Sequence, residues 1–245
     1  MNNELLETLM EKVEGKFGVF LNRILSASVE HGIYGMQMVD ASHSELPATS
    51  CAHCGKCCNS ISIFSLEYHL IIREMMSHLN PQQIKELIHR ALRFDLRLAD
   101  VGNEKRLRCA FRDEEAKRCL IHPVRSFACR LYGMRPPEGS PPLGEPPGKR
   151  FGPTRDCENV KEIGDPPPLS PSRLIRLQGR VMEQSEALKI SSDREAICYF
   201  PFEFWLYRFA LGEKSAIRIY REILVPASTP LTRFWTSPEF SENSE

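Results

Sequence analysis

The chain has 245 residues, 42% of them hydrophobic and 26% charged, with 32 basic and 32 acidic side chains in balance. That is enough to bury a core, and the even charge excludes a strongly basic nucleic-acid or anionic-membrane binder. No basic segment followed by an apolar stretch opens the chain, and no run approaches 18 apolar residues, so the composition reads as soluble and cytoplasmic.

Residues 4–30 carry apolar side chains at three-to-four spacing from Leu5 to Leu25 and predict a helix weakened by Gly15 and Gly18. DASHSELPATS, residues 40–50, reads as a polar loop. A helix over 65–79 follows, with Ser65 as its cap. Asn80 and Pro81 then restart a second helix over 81–98, with Ile84, Leu87, Ile88, Ala91 and Leu92 on its apolar face. These two helices are expected to pair antiparallel. Residues 105–134 place short apolar pieces around RDEEAKR, a small hairpin, and lead by a turn or short helix to Cys129. Eleven of the 18 prolines fall in 136–171, which predicts an extended segment. Ser170 or Ser172 caps a further helix reaching about 189, with Leu174, Leu177, Val181, Met182 and Leu188 apolar. A last helix, about 201–223, is rich in aromatic residues expected to fill the core. The fold class is therefore mainly α with irregular loops. Helices surround a cysteine-rich core over 48–160, flanked by an N-terminal helix and loop (1–47) and C-terminal helices (161–245), all in one domain.

Nine cysteines must be placed. The odd count and the lack of an export signal argue against a disulfide framework. Cys198 lies in the apolar run AICYF and reads as core. CAHCGKCC, residues 51–58, is different: its neighbours are polar, and Gly55 lets the backbone fold back. Cys51–Cys54 and Cys54–Cys57 are overlapping CxxC pairs, the spacing that delivers two thiolates to one metal. Three thiols from one short loop is denser than a zinc knuckle and closer to an iron–sulfur loop. Further thiols come from Cys109, Cys119, Cys129 and Cys157. The eight together suit two four-sulfur sites, with adjacent Cys57 and Cys58 serving different ones, or a single site with spare thiols. Arg125, Arg130 and Arg135 lie close in sequence and would offset thiolate charge, Arg130 first among them. His53 and His122 are candidate imidazole ligands as well, although a turn position and a hydrogen-bonding role account for them. No nucleotide-binding or HExxH motif is present.

CAHCGKCC followed by CLIHPVRSFACRLYGMRP resembles the CxxCxxCC cysteine-cluster family, the YkgJ-like zinc- or iron-chelating domain proteins. Cys51, Cys54, Gly55, Cys57 and Cys58 match the family's first motif. Cys119, Ile121, Arg125, Cys129, Arg130 and Tyr132 match its second. His122 stands where the family usually has Tyr, and Ser126 where it usually has Pro. Flagellin lysine N-methylase, which is much longer, is similar in the cysteine cluster. The resemblance implies a metal-binding protein that holds iron or an iron–sulfur cluster, with a redox or lysine-methylation-like protein-modification role. The alternatives are a zinc-chelating structural module and a thiol redox sensor with accessible, low-pKa cysteines. Metal ions are the expected partners, with a protein partner or substrate unidentified and neither nucleic acid nor membrane expected.

Overall fold

The computed structural model describes residues 36–53, 55, 58, 62–92, 109–131, 160–167, 169–187 and 199–224, together with a few positions between 11 and 26. Those few are helical, and Leu21 packs on the main core. The rest of the expected N-terminal helix, the proline-rich stretch before 160, and Cys54, Cys57, Cys157 and Cys198 lie outside the described residues.

Helix α1, Met36–Ser44, occupies half of the segment expected to be a polar loop. Its polar residues are used inward. Ser42 and His43 are buried beside Val39, and His43 Nε2 donates to Glu67 Oε1 at 3.2 Å. Strand β1, Thr49–Cys51, then leads into the cysteine loop, and β2, Ser62–Phe64, leads out of it. Helix α2, Ser65–His78, begins one residue earlier than a Ser65 cap would require. The backbone N–H of Phe64 is satisfied by Glu67 Oε2 at 3.0 Å, which leaves Ser65 as the first helical residue, buried. Helix α3, Pro81–Leu92, starts as expected. Asn80 Oδ1 accepts from Gln83 N at 2.9 Å, and Asn80 N donates to Gln83 Oε1 at 3.0 Å, a reciprocal cap. Ile84, Leu87, Ile88, Ala91 and Leu92 are all buried.

The hairpin forms as β3, Arg112–Asp113, against β4, Arg118–Cys119. A 3-10 turn at His122–Val124 and the short helix α4, Phe127–Arg130, follow. Strand β5, Val160–Glu162, pairs antiparallel with β1, setting Cys51 opposite Val160. Helix α5, Pro171–Ala187, is capped by Ser170, whose Oγ accepts from Arg173 N at 3.3 Å. Leu174, Leu177 and Val181 are buried, but Met182 faces outward. Strand β6, Tyr199–Pro201, pairs antiparallel with β2.

The expected single C-terminal helix is two. Helix α6, Phe202–Leu211, ends at Gly212, whose φ of 89° belongs to the left-handed region, and α7, Glu213–Ile219, restarts there. A π turn at Tyr220–Leu224 closes the described chain. Among the described residues the fold is mainly helical, with three two-stranded antiparallel ladders. Among the described residues no helix is long and apolar enough to cross a membrane.

The main core joins α2, α3, α6 and α7 to the hairpin. Phe202, Phe204, Trp205 and Tyr207 are buried in it, as their composition leads one to expect. Two buried polar groups on this core are matched to the backbone, whereas the buried Tyr68 hydroxyl has no hydrogen-bond partner among the described residues. Trp205 Nε1 donates to Ile63 O at 3.1 Å, and Tyr207 Oη to Leu92 O at 2.9 Å. Glu67, 1% exposed, ties the rest together by accepting from Phe64 N, His43 Nε2 and Phe127 N. One side chain thus fixes α1, β2 and the start of α4, which carries Cys129.

Candidate metal centre

The loop after β1 turns sharply. His53 and Gly55 have φ of 54° and 80°, both left-handed. A β-carbon on Gly55 would lie 3.3 Å from the guanidinium of Arg112, so glycine suits both the angle and the space. The turn lets His53 N donate to Cys51 Sγ at 3.3 Å and Cys58 N to Gly55 O at 3.1 Å. Cys109 N then donates to Cys58 O at 3.1 Å, which docks the second cysteine segment on the first.

The same device recurs at the later cysteines. The backbone N–H of Phe111 reaches the sulfur of Cys109, and that of Ile121 the sulfur of Cys119. The Ser126 hydroxyl bonds the sulfur of Cys129. Cys51, Cys109 and Cys119 therefore each have an N–H two residues ahead turned onto sulfur, an arrangement that favours thiolate over thiol.

Cys58, Cys109, Cys119 and Cys129 interact electrostatically in every pairing. Burial first, and the neighbouring sulfurs with it, push Cys109, Cys119 and Cys129 from 9.0 up to about 12. Glu203 adds to this at Cys109, whereas Arg125 opposes it at Cys119 and Cys129. A cavity of about 40 Å³ lies against three of these thiols. Its wall is otherwise apolar (Ile63, Ile71, Phe111, Phe202) apart from Arg125, Ser126 and Glu203. Among the described residues, no three His, Cys, Asp or Glu side chains are drawn into a ready metal-ion constellation.

Residues 50–149 match the family model CxxCxxCC, described as a putative zinc- or iron-chelating domain. No curated protein and no solved structure matches the chain.

Within the matched stretch, the structure brings together four of the eight cysteines singled out from sequence: Cys58, Cys109, Cys119 and Cys129. Cys51 stands at the end of β1, and its sulfur is engaged by His53 N. Cys54, Cys57 and Cys157 are not described. Arg125 acts on Cys119 and Cys129, and Arg130 interacts with Cys129 as well. Arg130 is spent on the backbone, donating from Nε to Arg125 O at 3.0 Å and from Nη2 to Pro123 O, which staples the turn before α4. Arg125 holds Thr49 Oγ1 at 2.7 Å and His122 Nε2 at 2.9 Å while lining the cavity. Arg135 lies outside the described residues.

His122 is held down to about 4 by burial, then by Arg125, His53 and Arg130. Its neutral ring accepts from Arg125 through Nε2, the hydrogen-bonding role expected of it. Ser126, where the resemblance expects proline, caps α4 and bonds Cys129. The residue that sequence reading missed is Arg112. It sits inside RDEEAKR, a stretch that looks like a solvated hairpin tip, and nothing in the local pattern separates it from Arg118.

Proposed function

We propose that the chain is a metal-chelating protein whose main site is the thiol tetrad Cys58, Cys109, Cys119 and Cys129. The observation that carries this reading is the tetrad itself. Four thiols from three separate segments interact in all pairings, and N–H or O–H groups are turned onto three of their sulfurs. Such donors suit anionic sulfur, and metal is the partner that makes buried sulfur anionic. The donor set fits a soft or borderline ion, zinc or iron.

Iron, as an iron–sulfur cluster, is the occupant we favour. A water needs roughly 10–15 Å³ of cavity, so a cavity of about 40 Å³ beside the thiols has room for more than one ion. Arg125 is the counter-cation. A cluster there would supply one-electron chemistry, whereas zinc would supply only a redox-silent cross-link. Single zinc is the second reading, favoured by the domain description, which names both metals. The raised thiols at 109, 119 and 129 weigh against a thiol sensor, which needs the opposite shift.

The remaining thiols, Cys51, Cys54, Cys57 and Cys157, are proposed as a second group. Its support is the β1–β5 ladder, in which Cys51 faces Val160, three positions along the chain from Cys157. Cys57 and Cys58 then serve different sites.

Anaerobic purification followed by metal analysis and visible spectroscopy tests the reading. Brown protein with iron and acid-labile sulfide is expected. Colourless protein with stoichiometric zinc moves the assignment to zinc, and protein that takes up neither metal overturns it.

A further inference from the structure

A buried arginine closes a ring of hydrogen bonds around the cysteine loop. Its guanidinium donates from Nη1 to His53 O at 2.7 Å and packs flat beside Gly55. Its side chain is 4% exposed, and Nε makes an ion pair with the exposed Glu114 at 3.4 Å. Its own backbone N–H donates to Cys109 O, Cys109 N donates to Cys58 O, and Cys58 N donates to Gly55 O. The circuit runs from Gly55 through Cys58 and Cys109 to Arg112, and back through the guanidinium to His53. Two thiol-bearing segments that are far apart in sequence are locked to each other by the chain alone.

We propose that Arg112 is a positioning residue that preorganises Cys51, Cys58 and Cys109 for metal, an inference that rests on the metal-holding reading above. Among the described residues it makes no hydrogen bond to a thiol. It acts by fixing the left-handed turn at His53–Gly55, from which Cys51 and Cys58 diverge. Burying a guanidinium is costly unless its donors are used. Here the donors are spent on a carbonyl of the loop and on Glu114, so the arginine is placed to hold the loop. Preorganisation of this kind raises metal affinity because the ordering of the loop is complete before the ion arrives.

The test uses the full chain under anaerobic, reducing conditions with Co²⁺ and Zn²⁺ as probes. Co²⁺ is followed by its thiolate charge-transfer and d–d bands, and Zn²⁺ by competition with a chromophoric chelator. Circular dichroism and melting of the metal-free protein run alongside. Arg112→Met, similar in length but without donors, should bind about 10–100-fold more weakly, the range seen when groups supporting metal ligands are lost. Its d–d bands should shift, and its metal-free spectrum should stay that of wild type. Arg112→Lys, which can make one bond to His53 O, should fall between. A folded Arg112→Met with wild-type affinity and bands overturns the proposal. If that variant does not fold, Arg112→Lys decides: weaker binding supports the role, and equal binding overturns it. Unfolding of both variants also overturns it, since Arg112 would then serve the fold. A wild-type chain that binds neither ion sinks the metal-holding reading itself, an outcome distinct from equal binding by wild type and variants.

Discussion

Raising the pH should destabilise the metal-free protein, and the structure says by how much. Burial holds Cys109, Cys119 and Cys129 at about 12, against 9.0 for an exposed thiol. A group whose pKa is raised on folding contributes its full stability below the unfolded value and loses it as the pH climbs toward the folded one. The window therefore opens near pH 9 and extends to about 12. At pH 10 each unfolded thiol gains about 1.4 kcal/mol by ionising, a gain the folded thiol forgoes, so the three together cost about 4 kcal/mol. Domains of ordinary stability hold about 5–15 kcal/mol. For a chain of this size the loss corresponds to a fall in melting temperature of roughly 8–16 °C between pH 8 and pH 10. The assay is thermal unfolding in chelator and reductant at half-unit steps of pH. Stopping at 10 keeps the tyrosines from dominating, since Tyr68 and Tyr220 are also raised by burial and act in the same direction. The metal-loaded protein should show the reverse. Its thiols are already deprotonated, so it should hold its melting temperature up to pH 10 and lose it on acidification. An equal melting temperature at pH 8 and pH 10 for the metal-free chain would refute the reasoning. So would a full drop in a variant with serine at all three positions.

Cys129→Ser should lose metal from the tetrad, whereas Cys198→Ser should keep it, as read by metal content after purification; retention by both removes Cys129 from the ligand set. Glu67→Ala should lower stability by about 3–5 kcal/mol in urea unfolding, because it leaves the N–H groups of Phe64, Phe127 and His43 without their acceptor. Trp205→Phe should cost about 1–2 kcal/mol by stranding the buried Ile63 carbonyl. A loss of less than 0.3 kcal/mol would show that this bond contributes nothing.

What could be read from the chain beforehand was local chemistry. Asn80–Pro81 specifies its helix start within four residues, and the structure has that cap with the apolar face that follows. The hairpin around RDEEAKR and the Ser170 cap are of the same kind. What was hidden depends on partners distant in sequence. Residues 40–44 look like loop because Ser42 and His43 are polar, and it takes Glu67, on another helix, to account for the burial of His43. Arg112 and Arg118 are alike in sequence, and it takes the folded His53 carbonyl to tell them apart. Arg125 and Arg130 are alike in sequence, and only the fold sends Arg130 to the turn carbonyls of Pro123 and Arg125 beside Cys129, and Arg125 to Thr49 and His122 at the cavity wall. Gly212 was overlooked inside an aromatic run whose composition drew attention to packing and away from backbone angle.

The two ladders that bracket the cysteine loop bear on how the protein is made. Strand β1, just before the loop, pairs with residues 160–162, and β2, just after it, pairs with residues 199–201. Neither strand can find its mate until those residues have emerged from the ribosome, and the tetrad also waits on Cys129. Until then the loop has only its ties to Cys109 and Arg112 to hold it. The full bracing of the loop belongs to the end of biosynthesis, after the last strand has docked.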